Sequence, residues 1–428
     1  MTDVRGLLLT LAATLALAAQ TFGIARADGV PHDSSLEVEQ VVAMGLGEED
    51  VSQLRTALRP STRIRFSSRW SARLDARLEY AGSDTGLGST VTYSDLASPW
   101  EIGSNFRLEL GEAKVSRRGR GNRLTIGKQS FAWGILDGIQ VTDRLDAVRR
   151  REAVFTPQRP ERIPRWGVRF EQKAGPVRLD FAAVLDRTAD QLPESDRYFA
   201  LSAPRFRAGL RSDAPQPPIS GMNFDGSTFG LRAQTRLGRG DLGFVMLYGP
   251  DTEPVFRLRN DGVELNYLER TLVGATWQQD WGSSLWRVEL AHVPNQPVNV
   301  ESPVTGIDRR ERWLAGVGMD LDLPGGVFLN AQLGIDHLRG SNLVRPNTDV
   351  LATVRARRSM ANDRWQAELE VLSELNRGDG VLRPMLSYQG FDHLRIDLGA
   401  DLIWGSRNGI FGQYDAQDRL WLRTTLRY

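Results

Sequence analysis

Residues 63–80 read RIRFSSRWSARLDARLEY. Ile64, Phe66, Trp70, Ala72, Leu74, Ala76, Leu78 and Tyr80 hold the even positions, with Ser68 as the exception. Arg63, Arg65, Arg69, Arg73 and Arg77 hold odd positions, together with Asp75 and Glu79. The period is 2, which is that of extended chain, because successive strand side chains point to opposite faces. Ordinary strands run about 5–6 residues, so read as one strand this stretch is unusually long. A soluble sandwich would put the apolar face in a core and the charged face in water. The other solution is a barrel strand, greasy outside and wet inside, that extends beyond a membrane at one end.

The N-terminus bears on the compartment. Arg5, the apolar run LLLTLAATLALAA (7–19) and Ala25-Arg26-Ala27 have the layout of a secretory signal cleaved after Ala27, which would start the mature chain at Asp28. The apolar run is shorter than the roughly 20 residues a spanning helix needs. The chain has no cysteine, which excludes disulfides and thiolate metal sites in an oxidising compartment. Its 54 basic residues face 53 acidic ones, without the basic excess of a nucleic-acid binder. Lys114, Lys128 and Lys173 are the only lysines, so nearly every cation is an arginine.

Residues 28–60 place Val38, Val41, Val42 and Leu46, then Val51, Leu54 and Leu58, at helical spacing. Gly45 and Gly47 interrupt them and Pro60 ends them. This spacing predicts a partly helical N-terminal segment, either a periplasmic tail or a plug in a lumen. From 61 onward sixteen strand-like segments follow, most of about ten residues, the length of a tilted membrane-crossing strand. Short connections (RRGRG, AGP, GRGD, WGS, LPGG, AND, QGFDH) alternate with long ones (81–104, 134–165, 187–227, 250–270, 294–311, 337–348, 405–417), apart from a short NRGDG at 376–380. Tight periplasmic turns and large extracellular loops produce this sorting in outer-membrane barrels. Within 394–404, Leu394, Ile396, Leu398, Ala400, Leu402 and Trp404 share one face, and Arg395, Asp397 and Asp401 the other. Lipid requires every backbone group to be paired, so the sheet must close. The expected fold is all-β: a single transmembrane antiparallel up-and-down barrel of about sixteen strands over 61–428, with its charges in the lumen.

Aromatics near strand ends (Trp133, Trp166, Tyr248, Trp281, Trp313, Trp365, Tyr388, Trp404, Tyr428) are expected to form two interfacial girdles. Val184, Leu314, Leu351, Ile403 and Trp421 fall on the polar face, and Trp421 is read as packing the N-terminal segment. A bulge near Gly111 accounts for the phase change between Leu110 and Ala113.

The terminal LWLRTTLRY, with Leu420, Leu422, Thr424 and Leu426 alternating before Tyr428, resembles the C-terminal strand by which Gram-negative outer-membrane proteins are recognised for insertion. LTIGKQSFAWG followed by a long Asp/Arg/Pro loop is similar to a segment of porin-like barrels of proteobacteria. The resemblance implies a passive or substrate-selective channel in the cell outer membrane, often an oligomer. It also implies that Leu422, Leu426 and Tyr428 address the barrel-assembly machinery, and that a loop after an early strand folds inward to narrow the pore. Asp137, Asp143, Asp146, Arg149, Arg150 and Arg151 in 134–165 are the candidates for that constriction, with 187–227 as the other candidate loop. The alternative is an outer loop whose charges meet lipopolysaccharide.

Sixteen strands leave an aqueous channel. The expected lining residues are Arg63, Arg65, Arg69, Arg73, Arg77, Arg232, Arg236, Arg355, Arg357, Arg419, Arg423 and Arg427, with Glu368, Glu370, Asp397 and Asp401. If the first and last strands adjoin, their arginines form one continuous basic wall, with the acids offset around it. Such separation would select small anionic solutes; alternatively, the charges simply solvate the lumen. No cofactor or metal is expected: Asp137 and Asp143 lack EF-hand spacing. A barrel hydrolase is the rival class, but no Ser–His or His–Asp pairing emerges among His32, His292, His337 and His393. An adhesin or plugged structural barrel is a third.

Overall fold

The computed structural model describes residues 32–47, 51–82, 86–150, 161–193, 198–200, 226–259, 262–301 and 306–428. The expected signal segment and Arg151 lie outside them, as does most of 187–227. The strands in chain order are β1 (His32–Gly45), β2 (Val51–Arg65), β3 (Trp70–Ala81), β4 (Trp100–Ile102), β5 (Phe106–Arg118), β6 (Asn122–Gln129), β7 (Ala147–Val148) and β8 (Arg162–Ile163). Then come β9 (Arg165–Ala174), β10 (Val177–Val184), β11 (Thr228–Leu237), β12 (Gly240–Pro250), β13 (Val255–Arg259), β14 (Gly262–Asn266), β15 (Glu269–Trp281) and β16 (Ser284–Val300). The last are β17 (Gly306–Leu323), β18 (Val327–Leu338), β19 (Thr348–Met360), β20 (Trp365–Glu374), β21 (Asp379–Phe391), β22 (Leu394–Trp404) and β23 (Arg419–Arg427).

Leaving aside β4, β7, β8, β13 and β14, which belong to loops, 18 strands pair antiparallel, each with the next along the chain. β1 also pairs with β23, from Glu37 opposite Arg427 to Gly45 opposite Arg419, and so closes the barrel. One end carries tight turns such as 175–176, 238–239 and 282–283; the other carries the longer loops. We call these the turn end and the loop end. Outward-facing Leu74, Ile126, Phe244, Leu290, Trp313, Leu398 and Leu422 are exposed around the circumference, the apolar belt that lipid requires.

Two expectations fail here, for related reasons. Residues 63–80 are not one strand but the end of β2, a turn at 66–69 and β3. Four turn residues preserve the even/odd phase, so alternation alone passes straight through the hairpin. The Ser67 hydroxyl accepts hydrogen bonds from the backbone N–H groups of Arg69 and Trp70 (3.2 and 3.1 Å), a local turn that Ser-Ser favours. Residues 32–47 and 51–60 are neither helix nor plug but β1 and most of β2, paired from His32 opposite Ile64 to Ala43 opposite Gln53, with a register shift before Met44 opposite Val51. Their valines and leucines satisfied a helical template, yet the β-branched content suits a pleated sheet and closure demanded the extra pair. Every other expected segment corresponds to one strand, so the barrel has 18 strands rather than sixteen.

Smaller features follow. Gly111 and Glu112 bulge opposite Asp75, with Leu74 facing Ala113 and Ala76 facing Leu110, as the phase change implied. The expected loop 294–311 is mostly strand: β16 and β17 run on past a register shift at 293–296. Trp133 is 1 % exposed, inside the barrel and not in a girdle.

Candidate functional site

After β6 the chain turns inward instead of leaving the barrel. Phe131, Trp133, Ile139, Val141 and Leu145 bury themselves against inward-facing Val184 of β10, Val245 and Leu247 of β12, Leu272 of β15, Val293 of β16 and Leu314 of β17. Val184 and Leu314 therefore break the polar pattern because a loop covers them. The wall beneath is notched by glycine. A Cβ at Gly230 would lie 2.7 Å from the Trp133 indole, at Gly316 2.5 Å from Leu136, and at Gly334 2.6 Å from Ile139. Only glycine permits so close an approach of loop and strand.

Polar anchors fix the same loop. Glu289 of β16 accepts from the N–H groups of Ile135, Leu136 (2.9 Å) and Thr142 (2.8 Å), and from the Thr142 hydroxyl (2.7 Å). Gln332 of β18 accepts from Asp137 N–H (3.2 Å). At the loop root Ala132 adopts a left-handed φ of 42°, an unusual conformation for a residue with a Cβ. Asp146 holds it by accepting from Phe131 and Ala132 N–H (2.9 Å each). Burial, with Asp143 adding to it, pushes the Asp146 carboxyl up to about 6, against the opposing pull of those two N–H groups and Arg162. Asp143 accepts from Trp133 N–H (3.1 Å) and pairs with Arg162.

The constriction candidates thus divide by role. Asp143 and Asp146 shape the loop and are buried. Arg149 is buried between the Tyr93 hydroxyl (2.7 Å) and Glu109 of β5. Arg150 binds Asp190 (2.8 Å) and approaches Glu253 (3.5 Å). Asp137 remains at the loop tip, 3.8 Å from Arg287. A second inward fold comes from 405–418. Asp379 accepts from Phe411 and Gly412 N–H (2.7 and 3.0 Å), and Phe411 and Tyr414 pack on Phe199, Val381 and Ile403 with Leu351 alongside. This explains inward-facing Leu351 and Ile403. Trp421 stands beside the N-terminal segment, opposite Ala43 of β1, and its ring lies across Gly399 of β22, under the Arg423 guanidinium at 5.1 Å.

The continuous basic wall does not form. β1 and its acids stand between β23 and β2: Glu37 bridges Arg427 (2.9 Å) and Arg59 (2.7 Å), and Glu39 pairs with Arg55 (2.9 Å). Nor are the acids offset. Asp397 binds Arg423 (3.0 Å) and Arg395 (2.7 Å); Asp401 binds Arg419 (2.7 Å) and Arg383 (2.9 Å). Glu368 takes Arg355 (2.7 Å), Glu370 approaches Arg383 (3.6 Å), and Arg232 meets Asp180 (2.9 Å). Arg77 pairs with Glu79 (3.2 Å) and Glu161, and Arg73 with Asp75 (3.0 Å). Arg357 lies over Phe328 (4.5 Å), and Arg236 is exposed near the turn end. Arg63, Arg65 and Arg69 line a turn-end cavity of about 620 Å³. A second cavity, about 440 Å³, lies at the loop end between Arg144, Glu253, Arg312, Asp336 and the inward loop. Glu289, Gln332 and the wall glycines were missed in the sequence; the apolar residues on the polar face were the available signal.

The four histidines are dispersed: His292 stacks on outward Trp313 (4.0 Å) and reaches Glu311 (2.9 Å), His337 meets Thr348 (2.8 Å), His393 sits in a turn and His32 opens β1.

No family model matches the chain, and no curated protein matches its sequence. Solved structures do match. OccAB1 of Acinetobacter baumannii aligns at a TM-score of 0.54 with 8 % identity, covering 94 % of this chain and 96 % of that one. OccAB3 of the same organism gives 0.52 and 10 %, over 93 % and 99 %. Pseudomonas aeruginosa OccK2 (OpdF), solved in complex with glucuronate, gives 0.52 and 10 %, over 92 % and 97 %. The chain has the fold of these outer-membrane barrels.

Proposed function

We propose that the chain is an outer-membrane channel for passive diffusion of small polar solutes, exported through a signal peptide cleaved after Ala27. One observation carries the reading: a closed barrel, apolar outside, has a charged interior with one cavity at the turn end and another beside a loop clamped along one wall. The turn end then faces the periplasm and the loop end the exterior, where lipopolysaccharide is the neighbour. Leu422 and Leu426 of β23, with Tyr428, form the segment read by the barrel-assembly machinery, and the channel assembles as a homo-oligomer in this reading. The dispersed histidines favour a channel over a hydrolase. Paired charges along β19–β23 give that wall little net sign, so anion preference resides in the turn-end arginines.

Reconstitution in planar bilayers under a KCl gradient tests this. Discrete conductance steps with a reversal potential on the anion side are expected; a barrel that inserts without conducting would overturn the reading. Arg419→Gln with Arg423→Gln removes one guanidinium from each of Asp401 and Asp397, and is expected to move the reversal potential toward cations.

A further inference from the structure

We propose that the turn-end cavity is a binding site for a compact multivalent oxyanion, of the pyrophosphate or tricarboxylate kind. This rests on the channel reading above and names the solute class retained at one place along it.

Acidic residues meet one another in some lumen rows, as Glu171 opposite Asp180 and Asp336 opposite Asp349, and other rows alternate in sign. Across β23, β1 and β2 the register reads Arg427, Glu37, Arg59. Across β19, β20 and β21 it reads Arg355, Glu370, Arg383. At the turn end it does not alternate. Arg63 of β2, Arg73 of β3 and Lys114 of β5 stand side by side in one row. Arg118 of β5 stands directly opposite Arg123 of β6. Like charges directly opposite on one face destabilise a sheet, and guanidinium groups cannot relieve the repulsion by losing a proton. Both rows face the same 620 Å³ cavity, in which Glu171 is the sole carboxylate among the described lining residues. Glu171 is already shared between Arg123 (3.7 Å) and Arg169 (3.8 Å).

Asp75 and Glu112 partner Arg73 (3.0 and 3.3 Å), and Glu112 also takes Lys114 (2.8 Å). Arg63, Arg65, Arg69 and Arg118 have no carboxylate within 4 Å among the described residues; Asp33 faces Arg63 in register without reaching it. Four uncompensated guanidinium forks converge from two hairpins, and Ser67, Ser68 and Ser71 add hydroxyls beside them. Guanidinium forks match phosphate and carboxylate oxygens two at a time. An anion of one charge leaves most of the repulsion in place, whereas one of three or four charges removes it. The selectivity is therefore for valence rather than for a particular carbon skeleton.

Calorimetric titration of the detergent-solubilised full barrel with pyrophosphate, citrate and acetate at constant ionic strength tests the site. Pyrophosphate and citrate are expected to bind at least tenfold more tightly than acetate, and Arg65→Gln/Arg69→Gln/Arg118→Gln to weaken them at least tenfold. The single variant Arg69→Gln, in an exposed turn, supplies the same reading in smaller measure should the triple variant not fold. Arg419→Gln/Arg423→Gln is expected to leave binding unchanged. Equal binding of acetate, or binding that survives the turn-end substitutions, would sink the proposal. Pyrophosphate binding by a barrel that never conducts would uphold the site and remove the channel reading; conduction without valence-selective binding would do the reverse.

Discussion

Glu289 satisfies three backbone N–H groups and one hydroxyl of the inward loop from a single position on β16. Truncation leaves those donors without a partner, at about 1–3 kcal/mol for each that stays buried. Glu289→Ala is therefore expected to free the loop while the barrel stays folded, seen as protease cleavage within 130–150 and noisier, larger conductance. Nothing around Glu289 in the sequence separates it from the other lumen carboxylates, because its partners lie some 150 positions earlier. Asp397 and Asp401 were legible as lumen residues by parity. Their pairing with Arg423 and Arg419 was not, since it depends on which strands adjoin.

At the scale of elements, hairpins from β5 onward were readable where Gly, Pro or Asp marked the turn, and the Ser-Ser turn at 66–69 was not. The phase-preserving turn at 66–69 hid one strand, and a Val-rich stretch that also fitted helical spacing hid another. The inward loop was half-legible: apolar Val184 and Leu314 on a polar face marked where something must cover them, but not what. Wall glycines complete that picture. Gly230→Val places a branched side chain against a fully buried indole. It should lift the loop off the wall and into the lumen, at about 1–3 kcal/mol for overpacking. The expected result is a smaller conductance, opposite in sign to the release caused by Glu289→Ala.

For the whole molecule, closure was predictable in kind and wrong in membership. Lipid forbids an open edge, yet which strand seals the last one depends on pairing between residues nearly the whole chain apart. Because β1 and β2 are staves of the barrel, removing residues 28–60 does not unplug a pore. It exposes the edges of β23 and β3. The truncated chain is expected to lose the heat-dependent mobility shift of a folded barrel on electrophoresis and to give no channels; a truncated chain that still conducts would contradict β1–β23 closure.

The loop after β6 leans on β9 to β18 and leaves the side from β19 to β1 clear of its glycine contacts. The described interior consequently has two unlike banks. One bank is loop backbone seated in notches, and altering it shifts everything it touches. The other is a run of shared ion pairs on regular strands, such as Asp397 with Arg395 and Arg423, capped toward the loop end by the 405–418 fold. Re-tailoring the channel for a new solute would thus begin on the β19–β23 bank, exchanging an acid together with its arginines so that no buried charge is left alone.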